Sequence, residues 1–183
     1  LKAAGLEWGA PVYMRAFKEE AEMELWMQEP GGGRFRLFRN YAIHAWSGNL
    51  GPKLKEGDGQ SPEGFYEVRR GQMHPASNYH LAFNLGFPNA YDRAQGRTGS
   101  FLMVHGANIS IGCYAMSDAG IEEIYTLADA AMNAGQEMFR VDCFPFRMEE
   151  ERLGRAIDET PEWAEFWRVL QEGYGSFERT GIP

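Results

Sequence analysis

The chain has 183 residues, 44% hydrophobic and 24% charged, enough to bury one sizeable core and suited to one domain rather than two. Its net charge of −8 comes with no concentrated basic run, which excludes counterion-release binding to nucleic acid; the pairs Lys53/Lys55 and Arg69/Arg70 read as solvated faces. No apolar stretch approaches the length that spans a bilayer.

Residues 1–10 read as a lead-in. From Pro11 come short strand-like runs, PVYMRAF, AEMELWM and RFRLFRNYAIHAW, the last two joined by a hairpin turn at Glu29-Pro30-Gly31-Gly32-Gly33. Ser47 to Gly64 is a long loop with many glycines, of a length that inside a compact domain is functional or disordered. GFYEVRR (64–70) and YHLAFNLGF (79–87) return to strand character, FPNAYDRAQGRTG (87–99) is a second polar loop, and FLMVHG (101–106) is a strand ending in histidine. From Ser117 the period changes: Ile121, Ile124, Leu127, Ala128 and Ala131 recur at helical spacing, with Ser117-Asp118 as start and Gly135 as stop. FRVDCFPF (139–146) is one more strand. Thr160-Pro161 opens a second helix with Trp163, Phe166, Trp167 and Leu170 on one face, expected to pack on the body. The picture is α+β, mostly β.

Chemistry concentrates in VHGANISIGCYAM, residues 104–116. Cys113 is open to four readings. A free cysteine packs well as a small hydrophobe. A bridge to Cys143 closes a loop of ordinary length. Structural zinc wants four ligands, and the chain offers two separated cysteines and scattered histidines. Of these, His44 reads as a core or edge residue, His74 as exposed in a loop, and His80 has no assigned role. In the fourth reading Cys113 is a nucleophile. It stands just ahead of a helix start, where backbone N–H groups favour thiolate, and His105 is base and partner. An isolated thiol of pKa about 8.5 is only a few per cent ionised at neutral pH, so a neighbouring imidazole matters. The Gly106 carbonyl can orient that imidazole, and the N–H groups of Gly112, Cys113 and Tyr114 can form an oxyanion hole.

His105-Gly106 followed by Ser110-x-Gly112-Cys113 resembles the active-site signature of the YkuD-type L,D-transpeptidases. Gly57-Asp58 with Ser61-Pro62-Glu63-Gly64-Phe65-Tyr66 resembles that family's TPxGxF pattern. Ser47-Gly48 through Gly51-Pro52-Lys53, GFPNAYDRA, SIGCYAM and PFRM are similar to its YafK branch, and the likeness runs from about Pro11 to Phe177. The resemblance implies a YkuD-like catalytic domain over 11–148 and a helical extension over 149–183 packed on it. It implies an exported, periplasmic enzyme without cofactor or metal that acts on peptidoglycan stem peptides. Cys113 would form a thioester and pass it to the amine of meso-diaminopimelate; an amidase releasing a diaminopimelate-linked bond, such as a protein tether, is the alternative. A non-catalytic wall-binding module is the rival from another class. Cys113 and His105 are the catalytic pair with Gly106 as orienter, and Ser110, Gly112 and Tyr114 shape the turn. The chain departs from the pattern at Ile111, where the family has histidine, and at Ala115, where it has arginine or asparagine; the gap from His105 to Cys113 is also short, which implies an open cleft. Arg93 and Arg97, with Tyr91, are the candidates to bind substrate carboxylates in their place.

Overall fold

A computed structural model describes residues 1–107 and 110–183. Its strands are β1 (Val12–Phe17), β2 (Glu22–Gln28), β3 (Phe35–Ala45), β4 (Gly64–Arg69), β5 (Met73–Ser77), β6 (His80–Asn84), β7 (Met103–His105), β8 (Tyr114–Met116) and β9 (Met138–Phe144). Its α-helices are α1 (Ala90–Ala94), α2 (Asp118–Asn133), α3 (Glu150–Glu159) and α4 (Ala164–Thr180). The strands form one sheet in the order β4-β9-β1-β2-β3-β8-β7-β6-β5. Most neighbours are antiparallel; β1 with β9 and β7 with β8 run parallel. The eleven residues of β3 pair with β2 over their first part and with β8 at Ile43 and Ala45, so β3 joins the two halves.

β1 is buried along its whole length because it is covered on both faces. Val12, Met14 and Ala16 meet Ile121, Ile124, Leu127 and Ala128 of α2 in the main core. Phe17 belongs to a second core with Phe144, Phe146, Leu153, Phe166, Trp167 and Leu170, which seats α3 and α4. Arg15, 2% exposed, is tolerated there because its guanidinium pairs with Glu24 and Glu178 and lies over the rings of Phe17, Trp26, Tyr174 and Phe177. α2 starts as its sequence indicates: the Ser117 hydroxyl accepts the Gly120 N–H at 3.0 Å.

Four elements depart from the sequence reading. Met73–Ser77 is an edge strand and not a loop, so His74 is half-buried on β5. The 87–99 loop contains α1, capped by a reciprocal pair of bonds between Asn89 and Asp92. α3 was not foreseen. The short β8 separates Cys113 from α2.

Candidate active site

Cys113 immediately precedes β8, and α2 begins five residues further on, so the helix terminus does not act on the thiol. That corrects the expected cause of a lowered pKa. Burial pushes the Cys113 thiol above its ordinary value, and the Met103 N–H and the charge of Lys53 only partly offset it. Sγ accepts the Met103 N–H at 3.4 Å and donates to the Phe101 carbonyl at 3.6 Å. Phe101 and Ile111 beside it are 71% and 86% exposed.

The parallel register pairs Val104 with Tyr114 and His105 with Ala115, which places Met103 beside Cys113. Side chains alternate across a strand, so Met103, His105, Cys113 and Ala115 share one face while Val104 and Tyr114 enter the main core. His105 is thus two residues along the neighbouring strand from Cys113, roughly 8 Å between Cα atoms from strand and residue spacings. His105 Nδ1 lies 2.5 Å from the Gly106 carbonyl. A carbonyl only accepts, so Nδ1 carries the proton and Nε2 presents its lone pair. The Tyr79 ring packs against the imidazole with centroids 4.9 Å apart. Gly106 has no room for a side chain: a Cβ would come within 2.6 Å of Asp118 Oδ1, which accepts the Ala107 N–H, and 3.1 Å of the Tyr79 carbonyl. A hollow of about 370 Å³ is lined by Met73, Pro75, Tyr79 and Met103, of which Tyr79 packs on the imidazole and Met103 donates its N–H to Cys113 Sγ.

The 47–64 loop is pinned to the cysteine turn. The Gly112 N–H donates to Ser47 Oγ at 2.5 Å, and Ser61 Oγ takes the Ser47 N–H at 3.0 Å and donates to the Cys113 carbonyl at 3.2 Å. Ser110 Oγ donates to that carbonyl at 2.5 Å. Ser110 and Gly112 therefore shape the turn, but the Gly112 N–H is already engaged. Within the loop, Asp58 accepts the N–H groups of Leu54, Lys55 and Gln60 and the Lys53 ammonium, which hold its carboxyl down at about 2. Lys53 is only 4% exposed, not a solvated charge. Deeper in, Glu63 accepts from Lys18 at 3.0 Å, from the Gly51 N–H at 2.7 Å and from Trp167 Nε1 at 2.9 Å. α4 thus reaches the loop through one indole.

The remaining candidates fall elsewhere. Tyr114 is fully buried, its hydroxyl donating to the Pro62 carbonyl at 2.7 Å, so it packs. Arg97 is 7% exposed, paired with Asp92 at 2.8 Å and laid over Tyr91 and Phe166. Tyr91 stacks on Phe166, and Arg93 donates to the Pro88 carbonyl. Tyr91 and Arg93 line a separate hollow with Phe65, Glu67 and Gln72 that reaches neither Cys113 nor His105. Arg97, a candidate for substrate carboxylates, is instead engaged by Asp92, which turns inward on α1 five residues earlier. His44 is exposed on β3, and His80 pairs with Glu122 at 2.7 Å. Cys113 and Cys143 are free thiols, the latter fully buried on β9.

Sequence reasoning overlooked Ser47, Ser61, Lys53 and Asp58. The signal the two serines share is that both lie near the ends of a loop too long to be mere connection.

A profile of the L,D-transpeptidase catalytic domain, YkuD, matches residues 21–141. The chain is 45% identical over 175 residues to YafK of Escherichia coli (strain K12), covering 96% of this chain and 70% of that protein. The crystal structure of the helical cell shape determining protein Pgp2 from Campylobacter jejuni aligns with a TM-score of 0.55 at 23% identity, over 78% of this chain and 52% of that one. Bd1075 of Bdellovibrio bacteriovorus aligns with a TM-score of 0.51 at 17% identity, over 92% and 62%. The chain spans between half and two thirds of the length of those two structures, and at these identities they bear on the fold alone. The mostly β sheet with few helices is the architecture they share, and the chain belongs to the YkuD family of L,D-transpeptidase catalytic domains.

Proposed function

We propose that the chain is a cysteine acyl transferase of the periplasm that acts on peptidoglycan stem peptides. One observation carries the reading: in a chain of this family, the parallel register of β7 and β8 sets the His105 imidazole and the Cys113 thiol, at the entry to β8, on one face. His105 Nε2 takes the thiol proton as Sγ attacks an amide carbonyl. The C–N bond then breaks, the leaving amine takes the proton back, and a thioester remains. The amine of a second stem, on meso-diaminopimelate, attacks the thioester and restores the thiol. Because burial keeps the resting thiol protonated, His105 works as a general base during attack rather than as one half of a standing ion pair.

Hydrolysis of the same thioester is the second reading, covering an amidase that releases a diaminopimelate-linked bond. The exposure of Phe101 and Ile111 favours it, since an open rim admits water to the thioester. Mass spectrometry of defined muropeptides incubated with the protein and with Cys113→Ala separates these. New cross-linked species absent with the variant establish the transpeptidase. Shortened products alone establish the hydrolase. No change with either protein overturns both and leaves a wall-binding module.

A further inference from the structure

The turn before the nucleophile presents a difficulty for acyl transfer. A backbone N–H expected to receive the oxyanion, that of Gly112, already donates to Ser47 Oγ at 2.5 Å. Ser47 is half-exposed and stands at the end of β3. The antiparallel register runs Ile43 with Met116 and Ala45 with Ala115, and its continuation sets Ser47 opposite Cys113 on the same face. Continued past the ends of β3 and β8, the two registers bring Ser47, Cys113 and Met103 into one row. The backbone of Ser47 is fixed on both sides: its N–H donates to Ser61 Oγ and its carbonyl accepts the Ser61 N–H at 2.9 Å. Among the described residues its hydroxyl hydrogen has no acceptor.

We infer that the Ser47 hydroxyl is a catalytic oxyanion donor, with the Gly112 N–H behind it. An N–H that donates to a hydroxyl oxygen polarises the O–H and makes it a stronger donor. As Sγ of Cys113 adds to the carbonyl carbon, the π pair moves to oxygen and the Ser47 O–H donates to it. When the intermediate collapses, the C=O re-forms and the leaving group departs. The Ser47 proton stays on Ser47 throughout, so the hydroxyl stabilises charge without transferring a proton. The pre-fixed backbone gives the preorganisation such a donor needs.

The inference rests on Cys113 being the nucleophile, and the test separates the two. Cys113 is acetylated by p-nitrophenyl acetate, a reaction that builds an oxyanion and releases p-nitrophenolate. In parallel it is alkylated by iodoacetamide, a displacement at saturated carbon that builds none. Intact mass identifies the modified residue, and Cys113→Ala gives the background. Ser47→Ala should slow acetylation by roughly tenfold to a hundredfold, in keeping with loss of one oxyanion donor, while alkylation stays unchanged. Ser47→Thr, which keeps the hydroxyl, should restore acetylation. Equal slowing of both reactions would reduce Ser47 to a support of the turn and overturn the inference, as would unchanged acetylation. A wild-type protein that alkylates at Cys113 but never acetylates there would instead remove the nucleophile itself.

Discussion

Asp58→Asn removes the charge at the centre of the 47–64 loop. The carboxylate gathers three backbone N–H groups and the Lys53 ammonium, and its folded-state pKa is about 2 against an ordinary 3.8. At about 1.4 kcal/mol per pH unit, that difference is worth about 2 kcal/mol. The folded pKa is depressed, so the stabilisation is complete above the unfolded value and is lost as pH falls through the folded one. From the same two values it should have fallen to about half by pH 3. Asparagine preserves the shape and one acceptor oxygen while removing the charge. Urea unfolding followed by tryptophan fluorescence should show the variant about 2 kcal/mol less stable at pH 6 and about 1 kcal/mol less stable at pH 3. In thermal melts at pH 6 the deficit corresponds to roughly 5 °C for a chain of this size. A deficit of the same size at both pH values would refute the reasoning, because lost charge would not then be its cause.

The buried pair behind the loop behaves differently. Lys18→Met strands Glu63 without a counter-charge and should cost roughly 3–5 kcal/mol, whereas Lys18→Met with Glu63→Gln should recover most of it; equal losses in the single and double variants would contradict the pairing. For the nucleophile, alkylation of Cys113 should rise with pH through a midpoint above the ordinary thiol value, because burial raises it, with Cys143 silent until unfolding. A plateau reached by pH 7 would mean a standing thiolate–imidazolium pair and would displace the general-base role of His105.

The strands that alternate or run apolar were legible, as was α2, whose period and Ser117 cap agree. Elements were missed where tertiary context overrides local pattern. β5 carries Pro75, which an edge strand tolerates because the outward N–H it lacks has no partner to lose. β8 is three residues long and too short for any period. α3 buries only Leu153 and Ala156 among charged neighbours, so its apolar stripe is too sparse to count. In the candidate site, the juxtaposition of Cys113 with His105 and Gly106 was legible because residues so close in the chain come to lie on neighbouring parallel strands. Lys53 was misread as solvated, and Arg97 as free for a substrate carboxylate, because a buried ion pair has no signature of its own: each depends on a carboxylate five residues away that turns inward.

The site is therefore held by two kinds of force. His105 sits on a strand whose other face is buried against α2, so its position is secured by the apolar core. Cys113 is held instead from its turn, by Ser110 and by Ser47 and Ser61 of a loop whose backbone is bonded by Asp58, Gln60 and Glu63. Trp167 extends that polar support to α4 through Glu63. Polar bonds are directional and a core is not, so this division would fix the angle of a Cys113 nucleophile by hydrogen bonds, while a His105 base would rest on a surface that tolerates small changes. It also links the C-terminal helices to a site they do not touch: removing them would withdraw the Trp167 indole from a fully buried carboxylate in the loop that begins at Ser47.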